Sequence, residues 1–339
     1  MNDVKFAVVG CGNIGKRHLA VMDAEPRAKV VATCDNIEAR AKHYADLYHI
    51  PHYYADYQQF LKETEAEIVA IATPHGLHAP MAIQAAEAGK HILVEKPMAL
   101  TASDCQRMND AAKAHGVDLF VVKQNRYNKP IALTQEAITE KKLGQIYMVQ
   151  CSVLWNRHPG YYADSNWRGT KKLEGGALYT QVSHFIDLLI WWFGDVVEAH
   201  TFLETKLQDI EIEDCGITQL RFASGVMGNL TWTTTVYNKN YEGSITIIGE
   251  KGTIKIGGRY LNQIDFWDVQ SHPLPHDISF DDKPNQYGKY QGTSSNHDKV
   301  VSNVVAKLLH ERYDVVEGDE GIKSIEAIEL IYRDTFLGT

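Results

Sequence analysis

The run Val4-Lys5-Phe6-Ala7-Val8-Val9 leads straight into Gly10-Cys11-Gly12-Asn13-Ile14-Gly15, and this passage restricts the fold more than any other part of the chain. The spacing is GxGxxG, set between an apolar strand and a helical pattern. The first glycine allows the tight turn, the second lets the backbone approach a pyrophosphate, and the third lets helix and strand pack closely. Backbone N–H groups and the helix dipole then receive the phosphates. Asp35 follows 20 residues after Gly15, at the end of the second apolar strand, Val30 to Cys34. An acid at that point accepts from a ribose 2′-hydroxyl and repels a 2′-phosphate, so the pattern predicts NAD rather than NADP. Gly10, Gly12, Asn13, Ile14, Gly15 and Asp35 are the expected cofactor contacts.

The rest of the first 122 residues keeps the same rhythm. Apolar runs at Ile68 to Ala72, Ile92 to Val94 and Leu119 to Val122 alternate with helix-like segments near 37–48, 78–88 and 102–115. Strands apolar on both faces, joined by helices, predict a doubly wound parallel sheet. From Gln145 onward strand-like stretches follow one another with few helices between, near 146–155, 196–207, 215–223, 226–237, 244–249, 252–256 and 261–268. Consecutive strands without crossover helices predict an antiparallel sheet in an α+β domain, closed by helices near 296–312 and 319–337. The expected division is 1–123 for the dinucleotide-binding α/β domain and 124–339 for a substrate-binding and oligomerisation domain.

Composition excludes several classes. Apolar residues at 44% are enough to build cores, and a formal charge of −9 disfavours a general nucleic-acid or anionic-membrane binder. No apolar stretch approaches the roughly 20 residues of a membrane span. The first residues carry no secretory h-region, and five cysteines without a CxxC pair suit a reducing compartment, so the expectation is a soluble cytoplasmic protein.

Three further motifs carry chemistry. Ile71-Ala72-Thr73-Pro74-His75-Gly76-Leu77-His78 follows a core strand, where loops line the ligand crevice, so Thr73, Pro74 and His78 are candidate cofactor contacts. For His78 a turn or helix-start role is an equal alternative. His75 and His78 lack a third ligand, and no metal is expected. Val94-Glu95-Lys96-Pro97 ends another strand with two charges and a stiff turn, which directs Lys96 toward the same crevice; a surface ion pair is the competing reading. The segment Gly175 to Gly194 reads as a glycine-led buried helix. Leu178, Val182, Phe185 and Leu189 form an apolar face, while Thr180, His184 and Asp187 share a polar one. A polar stripe on so apolar a helix requires partners or a cavity, and His184 is suited to general-base work near neutral pH.

Together the GCGNIG loop, the EKP turn and the helix containing HFID resemble the glucose–fructose oxidoreductase, inositol dehydrogenase and MocA family. The resemblance implies a Rossmann domain followed by a domain with a large open antiparallel sheet. It also implies NAD(P)-dependent oxidation of a sugar or polyol hydroxyl, with Lys96 and His184 as the catalytic pair. Many members carry an aspartate four residues before the histidine, where this chain has Thr180. A narrower set of segments, Lys123 to Asn128, Trp155-Asn156-Arg157, Trp167 to Thr170, Gly175 to Gln181 and Pro284 to His297, is similar to bacterial UDP-2-acetamido-2-deoxy-glucuronate 3-dehydrogenases. In that subgroup the position four before the histidine is likewise not aspartate. These enzymes oxidise a sugar C3 hydroxyl in the synthesis of surface polysaccharide such as O-antigen. The likeness implies Glu95, Lys96, Gln124, Trp167 and Arg168 as further cofactor contacts. It implies Lys96, Asn125, Arg157, Thr180, His184, Asn285 and Tyr287 as substrate contacts.

Charge agrees with an anionic substrate. Residues 123–172 hold nine Lys or Arg against three acids, a net of +6 inside an acidic chain. Arginine's planar fork suits phosphate and carboxylate, and Arg157 and Arg168 stand beside Trp155 and Trp167. The substrate expected is a UDP-sugar, with 2-oxoglutarate as a possible re-oxidant of NADH and a homo-tetramer or homo-dimer as the assembly. The competing readings are a dehydrogenase of free sugars or polyols such as inositol, and a non-catalytic NAD-binding regulator.

Overall fold

The computed structural model describes residues 3–275, 280, 296–333 and 335, together with the backbone of 284–286 and 291–294. In chain order the elements are β1 (Val4–Val9), α1 (Asn13–Ala24), β2 (Ala28–Cys34), α2 (Glu38–Leu47), β3 (His52–Tyr54), α3 (Tyr57–Glu63), β4 (Ile68–Ile71), α4 (His78–Glu87), β5 (His91–Val94), α5 (Ala102–Ala114) and β6 (Leu119–Val121). There follow α6 (Lys129–Thr139), β7 (Ile146–Leu154), α7 (Pro159–Ala163), α8 (Ser183–Phe193), β8 (Val196–Glu204), β9 (Cys215–Phe222), β10 (Met227–Thr233), β11 (Glu242–Gly249), β12 (Gly252–Gly257) and β13 (Gln263–Val269). The chain closes with β14 (Pro284–Gln286), β15 (Gln291–Ser294), α9 (His297–Leu308), β16 (Val316–Glu317) and α10 (Gly318–Arg333).

Two compact units result: residues 1–123 with 297–325, and residues 124–296 with 326–339. A single cut at 123 assigns α9 to the second half, but its apolar face of Val300, Val301, Val304 and Val305 is buried, and α9 packs on α1 in the first unit. Such a face goes wherever it finds apolar surface, irrespective of sequence order.

The first unit is a seven-stranded sheet in the order β16-β6-β5-β4-β1-β2-β3. Every pair is parallel except β16 with β6. Strand order reverses between β1 and β4, so the loops leaving these two strands lie side by side at the switch point where such sheets bind ligands. The core is the apolar content of the central strands, with Phe6, Val8, Ile68, Ile71, Leu93 and Phe120 excluded from solvent.

The second unit's large sheet runs β13-β12-β11-β7-β10-β9-β8. Its pairs are antiparallel apart from β7 with β10, which run parallel in register from Met148↔Met227 to Leu154↔Thr233. The texture of consecutive strands predicted no parallel pair. Residues 155–226 supply the long crossover that parallel neighbours require, and by returning through β8 and β9 they push those strands to the edge. One face, carrying Val149, Cys151, Val153, Leu230, Trp232, Ile245 and Ile247, is buried. α8 belongs to the same core, with Phe185 against Trp155 and Phe193 against Phe222. An all-round apolar helix has to be buried in this way.

Candidate active site

In the first unit the glycine loop has the form its sequence predicts. Gly10 adopts φ +90°, a left-handed conformation that a side chain disfavours, and a Cβ there would stand 2.6 Å from the Ala72 carbonyl oxygen. A Cβ at Gly15 would overlap the Gly10 carbonyl, so loop and helix α1 are held in backbone contact. At Gly12 the opposite holds: nothing lies within 4 Å of a Cβ placed there, and Gly12 and Asn13 are exposed. α1 begins with no side-chain cap on its first N–H groups, leaving its N-terminus as an open cradle for phosphate. Asp35 is buried beside this cradle. Its Oδ2 accepts from Cys11 N–H at 2.8 Å and its Oδ1 from Ile37 N–H at 2.8 Å, which leaves each oxygen a lone pair for ribose hydroxyls. An open cradle with an ionisable acid beside it fits NAD. Burial pushes the neighbouring Cys11 and Cys34 thiols up to about 12, so neither serves as a nucleophile at neutral pH.

The loops after β4 and β5 are tied together by His78. Its Nδ1 lies 2.8 Å from the Pro97 carbonyl and its Nε2 2.9 Å from the Thr73 carbonyl. Complete burial, acting against those two carbonyls, lowers the ring's proton affinity. A neutral ring donates to one of these carbonyls and packs against the other, so the buried His78 is a strut between Thr73 and the EKP turn. Thr73 itself sends its hydroxyl toward Met81 Sδ at 3.5 Å, and Pro74 precedes a 3-10 turn over His75–Leu77. Glu95 is buried, while Lys96 is half-buried and joined to Pro97 by a cis peptide bond.

In the second unit, His184 begins α8 directly after a π-helical turn over Leu178–Val182. No local residue pattern announces this wide turn, a form that recurs at functional sites. Gln124 Nε2 stands 3.3 Å from His184 Nε2, and when the amide donates, the ring nitrogen carries the lone pair that a base needs. The polar stripe has protein partners that sequence spacing did not reveal. Thr180 donates to Glu174 Oε1 at 2.8 Å, and Glu174 also accepts from Gly169 N–H. Burial raises the Glu174 carboxyl's proton affinity. Asp187 takes both prongs of Arg126, at 2.8 and 2.9 Å, and Arg126 lies over the Trp191 ring. The helix start is held by Glu213, whose Oε1 accepts from Leu178 N–H at 3.2 Å and from the Tyr332 hydroxyl at 2.6 Å. Arg126 lies 61 residues from Asp187 and Glu213 lies 35 from Leu178 and 119 from Tyr332, beyond the reach of any local pattern.

Two arginines expected at an anion site lie over aromatic rings. Arg157 is only 2% exposed. Its guanidinium donates to the Asn156 carbonyl, to Asn240 Oδ1 and, at 2.5 Å, to Gln181 Oε1, and it stacks on Trp155 and Tyr161. Its two terminal nitrogens are engaged within the unit, which holds the guanidinium in place. Arg168 is half-buried over the Tyr161 ring, 4.1 Å from its centroid, with Trp167 alongside. Asn125 fits a ligand contact better. It is 2% exposed, yet neither its Oδ1 nor its Nδ2 has a partner among the described residues. The side chain of Asn285 and the whole of Tyr287 lie outside the described residues. Lys96 belongs to the first unit and His184 to the second.

Comparison with known proteins agrees with this geometry. Residues 4–123 match the family model "Oxidoreductase family, NAD-binding Rossmann fold", and residues 131–255 match the "GFO/IDH/MocA C-terminal domain". Among solved structures the chain is similar to the WlbA dehydrogenase of Bordetella pertussis in complex with NADH and UDP-GlcNAcA, at 36% identity and TM-score 0.89, over 98% of this chain and 96% of that one. It is equally similar to the WlbA dehydrogenase of Chromobacterium violaceum in complex with the same two molecules, at 36% identity and TM-score 0.90, over 98% and 94% of the two chains. Levoglucosan dehydrogenase of Pseudarthrobacter phenanthrenivorans is 28% identical over 75% of this chain and 73% of its own length. With family models matching both the NAD-binding and the C-terminal stretch, the chain belongs to the GFO/IDH/MocA family of NAD-dependent oxidoreductases.

Proposed function

We propose that this chain oxidises the C3 hydroxyl of a UDP-sugar, UDP-N-acetylglucosaminuronic acid, to the 3-keto sugar with NAD, in the cytoplasmic synthesis of surface polysaccharide. The observation that carries this reading is the full-length likeness, at 36% identity, to two dehydrogenases crystallised with NADH and UDP-GlcNAcA. The net charge of +6 over residues 123–172 supports a doubly anionic nucleotide. NAD supplies the hydride acceptor for the sugar carbon. In this reading His184 takes the hydroxyl proton on Nε2, while Lys96 holds the same oxygen and offsets the charge that grows on it. Glu174, through Thr180, supports the helix at the position where many relatives carry an aspartate. Asn125 offers an amide whose burial without a partner costs about 1–3 kcal/mol, a cost that a substrate group or ordered water removes. Gln124, Trp167 and Arg168 remain proposed cofactor contacts, and Asn285 and Tyr287 proposed substrate contacts.

The test is absorbance at 340 nm with UDP-GlcNAcA, UDP-GlcNAc, free inositol and levoglucosan, with NAD and NADP in parallel, and with or without 2-oxoglutarate. The expected result is turnover with UDP-GlcNAcA and NAD. Turnover confined to free sugars moves the assignment to the polyol reading favoured by levoglucosan dehydrogenase and by inositol 2-dehydrogenase of Salmonella typhimurium, which is 31% identical over 56% of this chain and 54% of its own length. No turnover with any of them leaves a cofactor-binding regulator. Recovery of NAD on adding 2-oxoglutarate is expected if the cofactor is recycled in place.

The second face of the large sheet supports assembly. Ile248, Met148 and Met227 form one exposed apolar row across β11, β7 and β10, and Ile217 on β9 is exposed on the same face. The polar side chains Gln150, Asn229 and Gln219 separate these apolar positions along the strands. A half-apolar sheet face of this kind pairs with a second copy of itself about a twofold axis. Light scattering is expected to return a dimer or tetramer, and Met148→Glu with Met227→Glu to return monomer. A parental monomer at micromolar concentration removes the proposal.

A further inference from the structure

Inside the first unit lies a buried cluster of three titratable side chains. His18 sits on α1, three residues beyond Gly15; Glu95 immediately precedes Lys96; His297 opens α9. Their exposures are 1%, 4% and 1%. Glu95 Oε1 lies 2.8 Å from His18 Nε2 and 3.2 Å from His297 Nε2, and the two imidazole rings meet edge to face at 5.4 Å. The other carboxylate oxygen, Oε2, accepts the backbone N–H of Lys96 at 3.1 Å.

Two histidines and a carboxylate also form a plausible zinc ligand set, with their ligand atoms within 4.8 Å of one another. The far side of each ring decides against it. Neither His18 Nδ1 nor His297 Nδ1 has a partner among the described residues. A metal on both Nε2 atoms would force the protons onto Nδ1, leaving two buried donors without acceptors, whereas metal-bound histidines almost always donate that proton. With the protons on Nε2, both donors are used by Glu95, and the Nδ1 atoms carry only lone pairs. Burial by itself would raise the Glu95 carboxyl; the two histidine hydrogen bonds reverse this and hold it well below the usual carboxylate range.

We propose that His18 and His297 are positioning residues for Lys96, locking Glu95 from one side so that its second oxygen clamps the Lys96 backbone from the other. The clamp joins the phosphate-binding helix, the EKP turn and α9 through a single carboxylate. It rests on the proposed role of Lys96 as the group that holds the reacting oxygen. A supporting shell of this kind matters because a displacement of about 1 Å at a catalytic group can cost ~10²-fold in rate.

The experiment compares His297→Leu with His297→Gln, whose amide Nε2 can donate much as the ring does. The leucine variant is expected to lose roughly tenfold in kcat, within the range that loose positioning produces, while NADH affinity by fluorescence titration stays within about twofold. The glutamine variant is expected to recover most of the rate. Loss of a donor makes Glu95 easier to protonate, so the acid limb of the leucine variant's kcat–pH profile moves to higher pH. Should the leucine variant fail to fold, His297→Asn, too short to reach Glu95, takes its place against His297→Gln. Parental kcat with an unmoved acid limb overturns the proposal, as does equal loss in the leucine and glutamine variants. One equivalent of divalent metal in the purified enzyme, lost with His297→Leu, also overturns it. Lys96→Met run alongside separates the two levels. If its turnover is parental, the role of Lys96 falls and the clamp's purpose with it; if it is inactive while His297→Leu is unaffected, only the clamp falls.

Discussion

Under the proposed function, Lys96→Met is expected to turn over UDP-GlcNAcA ~10²-fold or more below the parent, the scale on which a group acting on the reacting proton or oxygen contributes, while its NADH affinity is expected to be nearly unchanged. Methionine keeps much of the length and apolar volume of the lysine stem and removes only the ammonium. The backbone N–H of residue 96 still reaches Glu95, so the turn is expected to survive. His184→Ala is expected to fall by a similar factor through loss of the proposed base. Here the π turn and Gln124 are left in place, and the change is confined to the imidazole. The two variants should fail in kcat more than in KM, because each removes an interaction used mainly in the transition state. Steady-state kinetics on protein verified as folded by circular dichroism is the check. Near-parental turnover in either variant removes that residue from the catalytic pair.

Asp187→Ala acts on the other axis. The Asp187 carboxylate and the Arg126 guanidinium form a two-pronged pair, and their side chains are only 6% and 12% exposed. Removing one partner of a buried pair leaves the other charge uncompensated, at a cost of about 3–5 kcal/mol. That is a large share of the roughly 5–15 kcal/mol by which a domain is stable. The expected result is a marked fall in melting temperature, with kcat per folded molecule close to parental. Arg126→Met with Asp187→Leu should recover much of the loss, since no charge then remains buried. A fall in kcat without a fall in stability would instead assign Asp187 to the chemistry.

The stripe that contains Asp187 marks how far sequence reading reaches. Spacing placed Thr180, His184 and Asp187 on one face and required that they be satisfied. It did not say by what. The answers are Glu174, Gln124 and Arg126, and each pairing is made by the path of the chain in space. Arg157 is the same lesson in reverse. Its neighbours in sequence suggested an anion ligand but not the Gln181 and Asn240 oxygens, brought in from elsewhere, that its buried guanidinium donates to.

Local physics is enough for what repeats or turns on nearest neighbours. Strand, glycine loop, helix and acid are legible because a tight turn, a close backbone approach and an apolar period each depend on residues a few positions apart. On that basis the Rossmann half, its NAD preference and the strand-rich second half could be read from the residues alone. Tertiary structure decided what depends on distant segments meeting: the parallel pairing of β7 with β10, the packing of α9 on α1, and the convergence of His18, Glu95 and His297 on one carboxylate oxygen. Burial makes those last choices, since a charge or donor taken from water must find its partner wherever the fold brings one.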